Sequence, residues 1–268
     1  MLVNNVQGDY YSTPYINATS IKAGANSIRH MVWLINHPLE EPSAAMIKGS
    51  KFHSYIWDRD SFNKEYQVCD LDFRTKDGKA FLQANNITQA NIVRTAELEE
   101  LEQAYRNIVN HPEAKIIALN SKLEVEKPIY WAEEKLDNTL CKAKLDGITE
   151  YAIIEYKTTS NLNSFVFSAQ RLHYNLQFAW YYKAALELDG KERPVFVVVQ
   201  ESKAPFDVAV YKVETYQLKE WLQECYQIVD QYLKVKDKPI EQVQGAYPDL
   251  MRFELPNYAE EDDLEVEI

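Results

Sequence analysis

Three charged residues stand where the apolar pattern of the chain leaves little room for them. In the stretch DGITEYAIIEYKTT, residues 146–159, Asp146 closes one apolar run, and Glu155 and Lys157 interrupt the next. Side chains two apart on a strand share a face, so Glu155 and Lys157 project together while Ile154 and Tyr156 take the opposite face. If GITE forms the turn between two strands, Asp146 lies beside Glu155 on the neighbouring strand. Two carboxylates in a partly buried site repel each other unless they share a proton or a cation. Paired carboxylates suit Mg²⁺ or Mn²⁺, which keep several waters and accept phosphate oxygens. A lysine beside such an ion can orient or deprotonate an attacking water and balance developing negative charge. The chemistry indicated is phosphodiester hydrolysis. The same residues also fit a solvated strand end with no chemistry at all.

The elements around these residues follow from periodicity and breakers. Ser20 is expected to cap a helix running to about Asn36 and stopped by His37-Pro38, and Ser43 to cap a second helix to about Trp57. The segment YQVCDLDF reads as a short strand or extended arm. Thr88 offers a cap for a long helix in which Ile92, Leu98, Leu101, Tyr105 and Ile108 recur at near-helical spacing, ending at His111-Pro112 before a short helix to about Leu119. Strands follow in KLEVEKPIYW, TLCKAKLDGI and EYAIIEYKTT, then one or two helices ending near Asp189-Gly190, the strands PVFVVVQ and FDVAVYKV, and a closing amphipathic helix. This order predicts an α/β fold in which a mixed central sheet is flanked by helices, with an N-terminal helical portion. The expected division is residues 1–120 for that portion, 121–235 for the core and 236–268 for a C-terminal extension with an acidic tail.

With the elements in place, the acid at a strand end (Asp146) followed by Glu155-Tyr156-Lys157 on the next strand resembles the PD-(D/E)xK nuclease superfamily, with a restriction-endonuclease-like core. Gln177 and Tyr181, four apart on one helical face, match the QxxxY motif of its RecB-like branch. The N-terminal block from Ile16 to Trp57, with Gly49-x-x-x-His53, together with DFRTKDGKAF, EKPIYW and CKAKLDGI, resembles the phage and prophage exonuclease VIII (RecE-like) family over roughly residues 10–235. That family commonly has Asp where this chain has Glu155; the superfamily signature admits either.

The resemblance implies that His53, Asp146 and Glu155 bind metal, with the Tyr156 carbonyl as a further ligand and Glu126 as an accessory acid. It implies that Lys157 is the catalytic lysine, and that Gln177 and Tyr181 position it or contact DNA. It further implies Mg²⁺, for which Mn²⁺ can substitute, and processive 5′ to 3′ degradation of one strand from double-stranded DNA ends in phage-type recombination. A ring-shaped homo-oligomer and a single-strand-annealing recombinase as partner come from the same source.

Composition sets limits on these readings. Glycine is scarce, with 7 residues, and neither GxxxxGK[ST] nor GxGxxG occurs, so a glycine-rich phosphate cradle is not expected. Three widely spaced cysteines without a CxxC pair argue against a disulfide framework, a zinc site or an iron–sulfur cluster. No apolar run is long enough for a membrane span and no secretion signal opens the chain, so a cytoplasmic protein is expected, in the bacterial host if phage-encoded.

The formal net charge of −12 disfavours a broad nucleic-acid surface, so any DNA contact must be local. Arg74, Lys76 and Lys79 form the most basic short segment and read equally as a phosphate-contacting patch and as a solvated loop. Tyr174 reads as packing. Two rivals stay open: a catalytically inactive nuclease-fold DNA mimic or inhibitor, and a metal-independent glycoside hydrolase using Asp146 and Glu155 as an acid–base pair.

Overall fold

The computed structural model describes residues 1–3, 6, 10–11, 13–37 and 42–245. The acidic stretch from Ala259 and the last part of the expected C-terminal extension lie outside the described residues. Elements run in the order α1 (Ala18–Asn26), α2 (Ile28–Asn36), α3 (Ala44–Trp57), α4 (Arg59–Glu65), β1 (Gln67–Val68), α5 (Lys76–Asn85), β2 (Ile92–Val93), α6 (Thr95–Asn110) and α7 (Pro112–Ala118). They continue with β3 (Glu124–Glu133), β4 (Thr139–Ile148), β5 (Ile153–Thr159), α8 (Phe165–Arg171), α9 (Tyr174–Asp189), β6 (Val195–Glu201), β7 (Val208–Val213) and α10 (Thr215–Leu233).

The main sheet has the order β3-β4-β5-β6-β7, with only β5 and β6 parallel. Helices α8 and α9 make the crossover that a parallel pair requires. The sheet divides two cores. On one side Ile153, Val195, Val197 and Val199 pack with Leu176, Ala179 and Trp180 of α9 and Leu222, Cys225 and Val229 of α10. On the other, Ile154, Tyr156 and Val198 pack with Phe52 and Ile56 of α3, Leu101, Ala104 and Ile108 of α6, and Ala114 of α7. The alternation along β5 and β6 is the strand period of two, with both faces buried. The helices before residue 121 cover both faces: α1 lies against α9 and α10, and α3 lies against β5 and α6.

Two helix boundaries differ from the sequence expectation. The helix expected from Ser20 to Asn36 is broken at Ser27, whose φ of −169° ends α1 and starts α2. Its true N-cap is Asn17, in a capping box with Ser20. The break folds α2 back on α1 at Gly24, where a β-carbon would stand 2.5 Å from Ile228 Cγ2 and 2.8 Å from Met31 Sδ. The long helix expected from Thr88 starts later. Thr88 caps a single turn, Gln89–Asn91, after which β2 pairs with β1, and α6 begins at Thr95. Asp70 accepts hydrogen bonds from the Thr95 N–H (3.0 Å) and hydroxyl, supplying the cap that Arg94 lacks.

Gly78 sits at the start of α5, where a β-carbon would fall on the Asp72 carbonyl oxygen and 2.6 Å from Phe73 Cα. Both are backbone atoms and cannot swing aside. Gly78→Ala is expected to cost about 1–3 kcal/mol, read as a lower midpoint in thermal unfolding. An unchanged midpoint would mean that the Asp72–Thr75 loop shifts freely.

Candidate active site

The site forms where the sheet ladder opens. β4 and β5 pair at Gly147↔Ile154 and Ile148↔Ile153, and the pairing goes no further. One step beyond, the Tyr156 N–H donates to Asp146 Oδ2 at 3.2 Å instead of to a β4 carbonyl. The pleat of β4 is interrupted at the same place: its residues in the α9-side core are Cys141, Ala143, Leu145 and then Ile148, a three-residue step in place of two. Across β4, the register Val125↔Gly147 and Lys127↔Leu145 sets Glu126 opposite Asp146. Glu126 has a φ of +53°, a left-handed conformation that is strained for glutamate and rare inside a strand. Such outliers persist where surroundings over-determine them, and they concentrate at functional sites.

His53 reaches this edge from α3. One turn earlier, Gly49 passes over β5 beside Thr158: a β-carbon there would meet Thr158 Oγ1 at 3.7 Å, an ordinary contact. The His53 ring lies edge-on to Tyr156 and to Trp57, with centroids 6.4 and 4.7 Å apart. One ligand atom each from His53, Glu126 and Asp146 lie within 4.8 Å of one another. His53 Nε2 is 3.6 Å from Glu126 Oε1, too far for a hydrogen bond, and is buried without a hydrogen-bond partner. Glu126 also pairs with Lys144, whose Nζ donates to the Tyr11 hydroxyl at 2.9 Å.

Glu155 and Lys157 stand on the α9 face of β5. Glu155 is fully buried. Its Oε1 accepts from Gln177 Nε2 at 2.7 Å and pairs with the Lys157 ammonium, while its Oε2 is buried with no hydrogen-bond partner. Burial and the nearby Asp146 push the Glu155 carboxyl up to about 8, against the pull of Lys157. For Lys157, burial acts downward, yet Glu155 and Asp146 outweigh it and hold the ammonium above its ordinary range. Gln177 Nε2 also donates to the Tyr181 hydroxyl at 3.1 Å, so the residues four apart on α9 act as one unit. Lys157 Nζ lies 4.9 Å from the centre of the Tyr174 ring.

The set His53, Glu126 and Asp146 offers one imidazole nitrogen and carboxylate oxygens, which suits a divalent cation bound largely through oxygen. The unpartnered His53 Nε2 is a group such an ion would satisfy, since a buried polar atom left unpaired costs about 1–3 kcal/mol; Glu155, although its Oε2 is also unpartnered, stands outside this three-residue set. The residues present therefore fit a metal.

Of the residues singled out from sequence, the fold brings His53, Glu126 and Asp146 into one cluster and Glu155, Lys157, Gln177 and Tyr181 into an adjoining one. Tyr156 links them through its N–H, while its hydroxyl points to the other face and donates to Gln200 at 2.7 Å. Arg74, Lys76 and Lys79 lie on α5 and the loop before it, whereas the site is carried by α3, α9 and β3 to β5. Arg74 is held by Asp72, with Nη2 to Oδ2 at 2.8 Å and Nε to Oδ1 at 3.0 Å. Tyr174, read from sequence as packing, does pack against the α9-side core. Sequence reasoning missed Lys22, which donates to Gln177 Oε1 at 3.0 Å from α1. No spacing rule points to it, because the contact joins helices far apart in the chain.

With this geometry in view, residues 19–247 match the family described as a PDDEXK-like domain of unknown function (DUF3799). The chain belongs to that family. It is thereby a member of the PD-(D/E)xK nuclease superfamily; in this fold Asp146 stands near the end of β4 and Glu155-Tyr156-Lys157 on the next strand, β5. No protein with a curated description matches this superfamily member in sequence. Its fold is similar to the crystal structure of a candidate exonuclease from Eubacterium rectale, with a TM-score of 0.63 and 17% identity over 90% of this chain and 89% of the other. At that identity the likeness speaks for the fold alone. Among the described residues of the PD-(D/E)xK chain, no helix is long and apolar enough to cross a membrane.

Proposed function

We propose that this PD-(D/E)xK protein is a divalent-metal-dependent deoxyribonuclease that degrades double-stranded DNA from its ends. The observation that carries the reading is the convergence of His53, Glu126 and Asp146 where β4 and β5 separate, beside a buried Glu155 that pairs with Lys157 and keeps an unpartnered carboxylate oxygen. His53, Asp146 and Glu155 would hold the ion, with Glu126 as a further acid and the Tyr156 carbonyl as a further ligand. Bound there, Mg²⁺, or Mn²⁺ in its place, supplies Lewis-acid stabilisation of charge at the scissile phosphate.

The chain's own residues do the remaining work. Lys157, kept cationic by Glu155 and Asp146, orients the attacking water and balances charge developing on the phosphate. Gln177 and Tyr181 fix the buried Glu155, and through it position Lys157, whose side chain stays partly open to the site. A 5′ to 3′ polarity, processive action in phage-type recombination, a ring-shaped homo-oligomer and an annealing recombinase as partner extend the proposal along the RecE-like resemblance. A ring would also reconcile the net charge of −12 with DNA, by lining a channel with basic residues and turning acids outward.

The test is cleavage of linear duplex labelled at one 5′ or one 3′ end, with Mg²⁺, with Mn²⁺ and with EDTA. Expected is metal-dependent release of label that EDTA abolishes, with the order of release giving polarity; light scattering gives the subunit number. Inactivity in both metals would overturn the nuclease reading in favour of the alternative, a catalytically inactive DNA mimic or inhibitor.

A further inference from the structure

We propose that Lys22 is a positioning residue of this site: its ammonium sets the orientation of the Gln177 side-chain amide, and through it the placement of Glu155 beside Lys157. The inference rests on the nuclease reading above and assigns a role to a residue outside its motifs.

Lys22 lies on α1 and Gln177 on α9, 155 positions apart in the chain, with Lys22 Nζ 3.0 Å from Gln177 Oε1. A primary amide has one accepting and one donating end, and an ammonium can only donate. Lys22 therefore admits only the orientation that leaves Gln177 Nε2 facing Glu155 Oε1 at 2.7 Å and the Tyr181 hydroxyl at 3.1 Å. The reverse orientation would set Oε1 against a carboxylate and the amide N–H groups against a cation. Gln177 is only 7% exposed, so bulk water offers little replacement if Lys22 is removed.

Lys22 is well placed to hold this contact. Its helix is fixed by the Asn17–Ser20 capping box at one end and by the tight approach of Ile228 and Met31 to Gly24 two residues on. Its Nζ lies 5.3 Å from the centre of the Tyr174 ring, and Lys157 Nζ lies 4.9 Å from the same centre, both within cation–π range. Burial and the neighbouring Lys157 pull the Lys22 ammonium down to about 8, with Glu155 and Asp146 opposing. A cation kept in such surroundings needs specific partners, and Gln177 Oε1 accepts from it.

The test uses full-length wild type, Lys22→Met and Lys22→Arg on end-labelled duplex with Mg²⁺. Lys22→Met is expected to lower kcat about ten- to hundredfold, the scale of one lost hydrogen bond to a charged group, with KM within about twofold. Lys22→Arg retains a cationic donor and should recover most of the rate. Lys22→Met/Gln177→Met should be no slower than Gln177→Met alone, because both changes break one linkage. Unchanged kcat in Lys22→Met, a raised KM at constant kcat, or losses that multiply in the double variant would overturn the proposal. If Lys22→Met does not fold, Lys22→Ala takes its place with the same expectations.

A second readout needs no activity. The side-chain amide NMR signals of Gln177, assigned by their loss in Gln177→Met, should be shifted and slow to exchange in wild type and Lys22→Arg. In Lys22→Met they should move toward solvent values. Identical signals in all three proteins would sink the Lys22 assignment. An inactive wild type that shows the expected amide signals would remove the nuclease reading and leave the Lys22–Gln177 contact standing.

Discussion

Lys157→Ala is expected to lower duplex cleavage by about a thousandfold while leaving the far-UV circular dichroism and the binding of duplex ends nearly unchanged. The size follows from two functions lost together, the positioning of water and the stabilisation of charge on the phosphate, each worth about a hundredfold or more in hydrolytic sites and, because one ammonium serves both, overlapping instead of multiplying. The site gives Lys157 no substitute. Lys22, which flanks the same Tyr174 ring, is engaged by Gln177, and Lys144 is engaged by Glu126 and Tyr11. The variant also removes from the buried Glu155 the ammonium that opposes its upward shift, leaving only Gln177 donating to it, so the carboxyl holds its proton more tightly than in wild type. A single-turnover assay at saturating enzyme separates this loss of chemistry from any loss of binding. Cleavage within tenfold of wild type would show that Lys157 serves the fold and not the reaction.

Asp146→Asn is expected to weaken divalent-cation binding by about a hundredfold and to abolish cleavage to a similar extent as Lys157→Ala. The substitution is chosen because Asp146 serves two ends. Its Oδ2 accepts the Tyr156 N–H at 3.2 Å, closing the gap where β4 and β5 separate, and it joins His53 and Glu126 within 4.8 Å. Asparagine keeps an acceptor for Tyr156 and gives up the charge. The thermal midpoint without metal should therefore stay within about 3 °C of wild type, while the rise in midpoint on adding Mn²⁺ should largely vanish. Calorimetric titration with Mn²⁺ gives the affinity directly. Retained metal-induced stabilisation in Asp146→Asn would place the ion elsewhere.

Much of the fold was open to reading in the sequence, because the decisive signals are local. The apolar run Val195–Val199 is a strand buried on both faces, and His111-Pro112 and Gly190 end helices where steric rules say they should. β4 runs from Thr139 to Ile148 as its pattern suggests. Where the reading missed, a distant residue had overridden a local signal. Thr88 is a sound cap, yet it caps only one turn, since Ile92 and Val93 are drawn into pairing with β1 and Asp70 caps α6 from elsewhere. The helix expected through Ser27 breaks because α2 packs back on α1 across Gly24, with Ile228 of α10 in the same contact.

The sequence by itself determined that Glu155 and Lys157 share a face, that Gln177 and Tyr181 share a face, and that Asp146 lies near the end of the preceding strand. Each of these follows from a strand period of two or a helical spacing of four, which hold wherever the element is placed. Only the tertiary structure decided that Glu126 turns into the left-handed region opposite Asp146, that His53 is delivered to the same edge by the passage of α3 over β5, and that Lys22 holds the far end of the Gln177 amide. Those contacts depend on how helices and strands seat against one another, and that is fixed by the packing of two cores on the two faces of one sheet, which no local period encodes.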